Sequence, residues 1–517
     1  MLSAATTSLR QIRALTRAGI IDPRHPAQIL RTARTMRAFG PIAGGIRSSA
    51  RRAPDRIALV CGDERISYHE LDRRTDALAA TWHAEGLDAS DTVGVLCPDG
   101  VRLVESMAAT AKLGARLVLL NTGFGAAQLR DVLDREGVSA LVLDPALSVT
   151  PQDLPERIVL LDNTIRAGAP PIGTPAQQGG FVLLTGGTTG TPKGAPRRVE
   201  SPLAAAQFVD RVPLRRGQTV LLCAPLFHGT ALSQFILSLN LGSTIVLHGR
   251  FDAARALAQI AEYRADMVVL VPTMLRRILD LDPTSLSTTD TSSLRIVFTA
   301  GAALPSSLGT KAIETFGPVI YNFYGCTETG TATIATPGDW IAAPGTVGKP
   351  PVGITVALYD AEGTRLTEPG AVGTVYVGNT IAFDGYSGGG SKQLRGGLMS
   401  TGDLGHFDSG GRLFIDGRDD DMIVSGGENV FPGEIEDLLY RHPAITEAAV
   451  IGVPDDEFGQ RLAAFVVAAD EIDAETVRDY VKTHLARFKS PRDVRFVEEL
   501  PRTPTGKIDR RGLTALS

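Results

Sequence analysis

The chain has 517 residues, 43% hydrophobic and 21% charged, an ordinary soluble composition long enough for a large domain and a small one. Its four cysteines, Cys61, Cys97, Cys223 and Cys326, are widely spaced, which excludes a disulfide framework or a zinc site and suits a reducing cytosol. With a net charge of -5, no run near the eighteen or so apolar residues of a membrane span and no apolar secretory block, the expectation is a cytoplasmic protein with no nucleic-acid partner.

The charge is unevenly placed. Residues 1–50 carry eight arginines against one acid, and the remainder of the chain is net acidic. Within this basic N-terminal extension, residues 9–20 and 29–39 each have the pattern of a short basic amphipathic helix, split by Pro23 and Pro26. Such helices lie on anionic membrane surfaces, so one expectation is peripheral contact with the inner face of the cell membrane. An arm folded against the acidic body has equal weight, and a mitochondrial-type presequence has the same composition.

The first globular signal is a hairpin, residues 57–61 and 66–68 about a Gly62-Asp63 turn, feeding a helix over 70–85. Short continuous apolar runs then alternate with helical periods at 93–96, 117–120, 141–143 and 158–161. A second set follows at 220–222, 245–247, 267–270 and 296–298. Runs of this kind are parallel strands buried on both faces, which predicts two doubly wound sheets with ligands beyond the strand C-termini. Past Tyr321 the strands become short and Gly/Pro-spaced, as at 373–377, predicting a distorted antiparallel β-barrel subdomain. A charged junction around Asp416 to Asp421 leads to a small α+β unit with helices near 434–440 and 474–486 and strands at 448–453, 462–467 and 494–496. The division is therefore an extension over 1–50, a large domain over 51–419 and a small mobile C-terminal domain over 420–517.

Between the two sets of strands, the apolar run Phe181-Val182-Leu183-Leu184 empties into Thr185-Gly186-Gly187-Thr188-Thr189-Gly190-Thr191-Pro192-Lys193-Gly194. Glycines let backbone N–H groups approach phosphate oxygens, threonines add neutral donors, and Lys193 adds a mobile charge. The order is not that of a Walker loop, because Lys193 follows proline and no Ser/Thr comes after it. It is similar to the phosphate loop of the adenylate-forming acyl-CoA synthetases. Four further stretches resemble the same family in the same order.

The resemblance implies a role for each. In Tyr324-Gly325-Cys326-Thr327-Glu328 the tyrosine would pack on adenine, Thr327 would meet the α-phosphate and Glu328 would help hold Mg²⁺, a hard cation that prefers oxygen ligands. Gly301, Ala302 and Ala303 would lie along the adenine edge. In Ser400-Thr401-Gly402-Asp403 the aspartate would accept from both ribose hydroxyls, with Arg418 as a second nucleotide contact. Lys507, in Thr505-Gly506-Lys507, would bridge the substrate carboxylate and the α-phosphate. His228 and Gly229 would border the acyl site, with Gly325 leaving its end open. Gly426 and Gly427 would lie beside the pantetheine of coenzyme A, and Asp420 would be the hinge between the domains. Gly186 stands where the family usually has serine.

The implied chemistry is ATP-dependent conversion of a carboxylic acid, in particular a medium- or long-chain fatty acid, to acyl-AMP and then to acyl-CoA. The alternatives are an acyl-AMP ligase loading a carrier protein and an aryl or other carboxylate CoA ligase. ATP, Mg²⁺ and coenzyme A are the expected cofactors, the carboxylate is the expected partner, and a homodimer is left open.

Overall fold

The computed structural model describes residues 2–147, 149–150, 154–185, 193–197, 202–379, 385, 387, 392–418, 423–425, 428–455, 459–485, 487–503 and 507–516. Runs without polar alternation, such as Met267–Leu270 and Ile296–Thr299, form strands buried along their whole length. Among the described residues they belong to an eight-stranded sheet, in the order Gly330–Ala335, Ile320–Cys326, Ile296–Thr299, Met267–Leu270, Thr219–Leu222, Thr244–Leu247, Ile57–Cys61, Glu64–Ser67. The inner pairs are parallel and both edge strands antiparallel. The strand order reverses at Thr219–Leu222, so the residues after it, up to His228, lie at a topological switch point where α/β sheets bind ligands.

The second sheet runs Val159–Leu161, Ala140–Leu143, Thr92–Leu96, Arg116–Leu119, Phe181–Thr185, Lys193–Arg197. It is parallel except for its last pair, a hairpin in which Thr185 faces Lys193. Lys193 is therefore the first residue of the returning strand.

Beyond residue 350 the sheet is antiparallel, built on Thr355–Tyr359, Gly373–Gly378 and Leu398–Phe407. The small C-terminal domain has its own three-stranded sheet, Ile445–Asp455, Gly459–Ala468 and Asp493–Phe496. The helices Pro432–Leu439 and Ala474–His484 pack around Ile435, Val450 and Val477. The molecule is thus a large α/β N-terminal domain carrying several sheets, followed by a small domain.

The basic N-terminal segment departs most from expectation. Its helices are longer than expected, Leu2–Ala18 and Pro26–Arg52, the second broken at Gly40 (φ 69) and Pro41. Leu15, Ile42 and Ile46 are buried in the main core, so residues 41–50 belong to the large domain rather than to an extension. Gly45 permits the approach, because a Cβ there would come 2.8 Å from Nδ2 of Asn240. Ionic contacts fix the same face. Lys112, 1% exposed, bonds Asp72 and Asp76 at 2.6 and 2.8 Å, and Arg47 pairs with the same two carboxylates. Most of the apolar stripe that a bilayer would have taken is spent on the protein, leaving Leu9, Ile12 and Leu30 exposed.

Arg47→Ala is expected to cost about 2 kcal/mol, because it unbalances a largely buried ion cluster and removes a guanidinium lying 4.5 Å over the Phe39 ring. A chemical denaturation midpoint unchanged from wild type would show that the cluster contributes nothing net. Deleting residues 1–45, a neutral change for a surface arm, should instead destabilise the large domain.

Candidate active site

A cavity of about 1840 Å³ lies between the large domain and the C-terminal domain, and both contribute to its wall. Its lining brings together Lys193, His228, Gly229, Gly301, Ala302, Ala303, Gly325, Thr327, Glu328, Arg418 and Lys507 from six separate stretches of sequence. Most of these positions follow strands of the two sheets. The small residues 301–303 come after Ile296–Thr299, and Thr327 and Glu328 after Ile320–Cys326. Gly186, Gly187, Thr188, Thr189 and Gly190, the hinge candidate Asp420, and Gly426 and Gly427 lie outside the described residues, as does the side chain of Thr185.

Tyr324 and Asp403 are not on the cavity wall but behind it. The Tyr324 hydroxyl donates to Asp403 Oδ2 at 2.6 Å and contacts Thr401 Oγ1 at 3.1 Å, while Arg418 Nη1 lies 3.6 Å from Asp403 Oδ1. Burial raises both the Tyr324 hydroxyl and the Asp403 carboxyl, the latter against the opposing pull of Tyr324, Arg418, Lys507 and Lys392. The Tyr324 bond takes one lone pair of Oδ2 and leaves the carboxylate acceptor capacity for further hydroxyls.

His228 ends the turn before helix Gly229–Leu241 and is its N-cap. Its ring packs on Phe227, and Nε2 is buried with no hydrogen-bond partner among the described residues. Burial, then the positive charge of Lys507, lower its pKa to about 4, so the imidazole is neutral at pH 7. Resistance to protonation in the fold links to stability. The contribution is complete above the ordinary value near 6.5 and is lost as pH falls from there toward 4.

The turn bearing His228 is held by a residue that the sequence did not single out. The Leu226 N–H donates to both oxygens of Asp99, at 3.1 and 3.2 Å, and burial pushes that carboxyl up to about 7. Its position just past strand Thr92–Leu96, in Cys97-Pro98-Asp99-Gly100, was the available signal. Gly325 also has a second duty. A Cβ there would come 2.1 Å from the Gly330 carbonyl oxygen, so the hairpin itself requires glycine whatever the pocket needs.

Glu328 is only 9% exposed, sits beside Thr327 on the wall, and is the acidic residue contributed there by this motif. Among the described residues no group of three or more His, Cys, Asp or Glu gathers to cage an ion. One carboxylate completed by phosphate oxygens and water is the donor set Mg²⁺ uses with nucleotides, so the residues fit such an ion. Burial lifts the thiols of all four cysteines above their ordinary value, to about 11 for Cys326 and about 12 for Cys97 and Cys223. None is poised as a nucleophile at neutral pH.

Known proteins match nearly the whole chain. The model of the AMP-binding enzyme family matches residues 46–387, and that of the AMP-binding enzyme C-terminal domain matches 434–507. The 2-succinylbenzoate–CoA ligase of Bacillus licheniformis is 31% identical over 90% of this chain and 98% of its own. The long-chain-fatty-acid–CoA ligase FadD13 of Mycobacterium tuberculosis is 31% identical over 86% and 92%. The o-succinylbenzoate CoA synthetase of Bacillus subtilis, solved with its acyl-adenylate intermediate, superposes with a TM-score of 0.82 at 28% identity, covering 91% of this chain and 97% of that one. Two family matches that together span most of the chain, and relatives matched over nearly their whole length, show that the chain belongs to the AMP-binding enzyme family of the adenylate-forming superfamily as an AMP-forming acid–thiol ligase.

Proposed function

We propose that the enzyme activates a medium- or long-chain aliphatic acid and transfers it to coenzyme A. The observation that carries this reading is the orphaned Nε2 of His228 at the head of an otherwise apolar passage bordered by Phe181, Leu183, Phe208 and Leu232. A neutral imidazole there can hold a carboxylate oxygen without bringing a second charge into the site. Lys507 supplies the positive charge, and its field is felt at both His228 and Asp403. The carboxylate attacks the α-phosphorus of ATP, pyrophosphate leaves, and a thiol then displaces AMP from the acyl carbon. Chemistry of this type depends on positioning and charge stabilisation, with no protein nucleophile. Glu328 on the wall would help hold Mg²⁺, which supplies charge neutralisation on the phosphates when bound, and Thr327 beside it would meet the α-phosphate.

Each buried CH₂ contributes about 0.8 kcal/mol, so kcat/KM for pyrophosphate release should rise severalfold per methylene until the passage is filled. The measurement is pyrophosphate release, with and without coenzyme A, over acids from acetate to hexadecanoate together with substituted benzoates. Acetate outrunning decanoate would sink the aliphatic reading. A second reading, an aryl acid, is favoured by the succinylbenzoate relative, which is as similar to this chain as the fatty-acid relative. A benzoate preferred over every aliphatic acid in the same panel would establish it. Strong adenylation with no CoA-dependent release of AMP would favour a carrier protein as the acceptor.

A further inference from the structure

The cavity does not stop at the catalytic residues. Helix Gly229–Leu241 lines it along its whole length, through His228, Leu232, Ile236 and Asn240, four positions spaced by i+4 on one face. About 18 Å separates the two ends of that face. At the far end the opposite wall comes from the N-terminal helical pair. Ile20 and Ile21 lie just past the first helix, and Ile29, Ala33 and Met36 repeat at i, i+4 and i+7 along the second. Arg31, Arg34 and Arg37 fall on exposed positions of the same helix. This segment was singled out by its charge, and nothing in the catalytic reading uses it.

We infer that the N-terminal helical pair is a substrate-binding element, whose Ile29, Ala33 and Met36 receive the tail of a long aliphatic acid bound with its carboxylate at His228. The inference rests on the ligase reading. Three contacts tie the pair to the distal end of the lining helix. Asn240 Nδ2 donates to the Pro41 carbonyl at 3.0 Å, Ser49 Oγ to that of Leu239 at 2.7 Å, and Arg52 Nη2 to that of Asn240 at 2.7 Å. These contacts anchor residues 41–52, beyond the break at Gly40, and Met36 packs back on that anchored half, its Sδ 2.9 Å from where a Cβ of Gly44 would lie. A saturated chain advances roughly 1.3 Å per carbon, from a C–C bond of about 1.5 Å, so an 18 Å face corresponds to about fourteen carbons. Ile29, Ala33 and Met36 at that end, beside the polar Thr32 and Asn240, suit an uncharged, extended tail, and a single-ring aryl acid would leave them uncovered.

The test uses the full-length enzyme and two probes. Hexadecanoate carrying a diazirine at its terminal carbon, photolysed with the wild-type enzyme and ATP, should label residues 20–41. Hexanoate carrying the same group should label residues near 228–237 instead. In pyrophosphate release, Ala33→Trp should lower the ratio of kcat/KM for hexadecanoate to that for hexanoate at least tenfold, and Met36→Ala should move the preferred length upward by one or two carbons. Labelling of hexadecanoate confined to residues outside 20–41, or a ratio unmoved by both substitutions in an active enzyme, would overturn the inference while leaving the ligase reading intact. Wild-type enzyme that releases pyrophosphate with no acid of either kind would overturn both.

Discussion

Lys507→Ala is expected to slow acyl-AMP formation by on the order of 10³ while preformed acyl-AMP is still converted by coenzyme A at close to the wild-type rate. A unit charge about 4 Å from developing phosphate charge, at an effective dielectric near 20, is worth roughly 4 kcal/mol, which sets the size of the loss. Lys507, ten residues from the end of the sequence, is exposed, but on the wall of the cavity. The Thr503 N–H donates to the Lys507 carbonyl at 2.8 Å, Arg502 bridges Ile508, and Arg502 is itself anchored on Glu447 at 2.7 Å. That pairing fixes the backbone at Lys507 beside the cavity it shares with His228. A spectroscopic signature accompanies the kinetic one. Without the neighbouring cation the imidazolium of His228 is less disfavoured, so its pKa should rise from about 4 while burial keeps it below the ordinary value. Equal losses in both half-reactions, with the His228 titration unmoved, would assign Lys507 a purely structural role.

Much of this site was legible in the sequence, for a physical reason. Strands such as Met267–Leu270 and Ile296–Thr299 are buried on both faces, so their apolar runs are unbroken, and ligand-binding residues cluster where such runs end. Gly301, Thr327, Glu328 and Lys193 were found by that rule and by motif order, and they do meet in one cavity. The N-terminal helices were not legible. A basic amphipathic pattern is the same whether the apolar face meets lipid or protein, and the contacts that decide it are long-range. Arg47 reaches Asp72 and Asp76, and Gly45 abuts Asn240. Asp99 was missed because its task is to hold a turn more than a hundred residues away, which leaves no local pattern. The bond from the Tyr324 hydroxyl to Asp403 was likewise not legible, since the two residues lie far apart in the sequence and a hydroxyl in a buried site takes the nearest carboxylate.

Asp437→Ala is expected to reduce adenylation by on the order of 10² and to spare thioester formation from preformed acyl-AMP. Asp437 lies on helix Pro432–Leu439 of the C-terminal domain, and its Oδ1 accepts from the backbone N–H and the hydroxyl of Ser306 at 2.9 and 3.0 Å. Ser306 opens helix Ser306–Phe316, so the carboxylate also meets the positive end of a helix dipole. Nearby, Arg276 of the large domain stacks 4.7 Å over the ring of Tyr440. These contacts hold the placement in which Lys507 reaches the cavity. Two charge-assisted hydrogen bonds at about 1.5 kcal/mol each give the expected factor. Arg441, the other partner of Asp437, is exposed and is left with no buried charge to satisfy.

The opposite perturbation is Asp420→Pro. If Gly426 and Gly427 serve the thiol, as the resemblance implies, they share a domain with Lys507, and one rigid placement cannot serve both steps. A rotation about a few junction dihedrals resolves the conflict. Proline at 420 would fix φ near -65° and disfavour the helical region for Asp419, holding the chain in one orientation. Acyl-AMP formation should survive while thioester formation falls at least about tenfold, with Asp420→Ala as the control for the lost carboxylate. The two substitutions thus push a two-position domain in opposite directions. Half-reactions that fall together in both variants would mean that the domain stays where this structure has it, and that a single placement must then accommodate the thiol as well as Lys507.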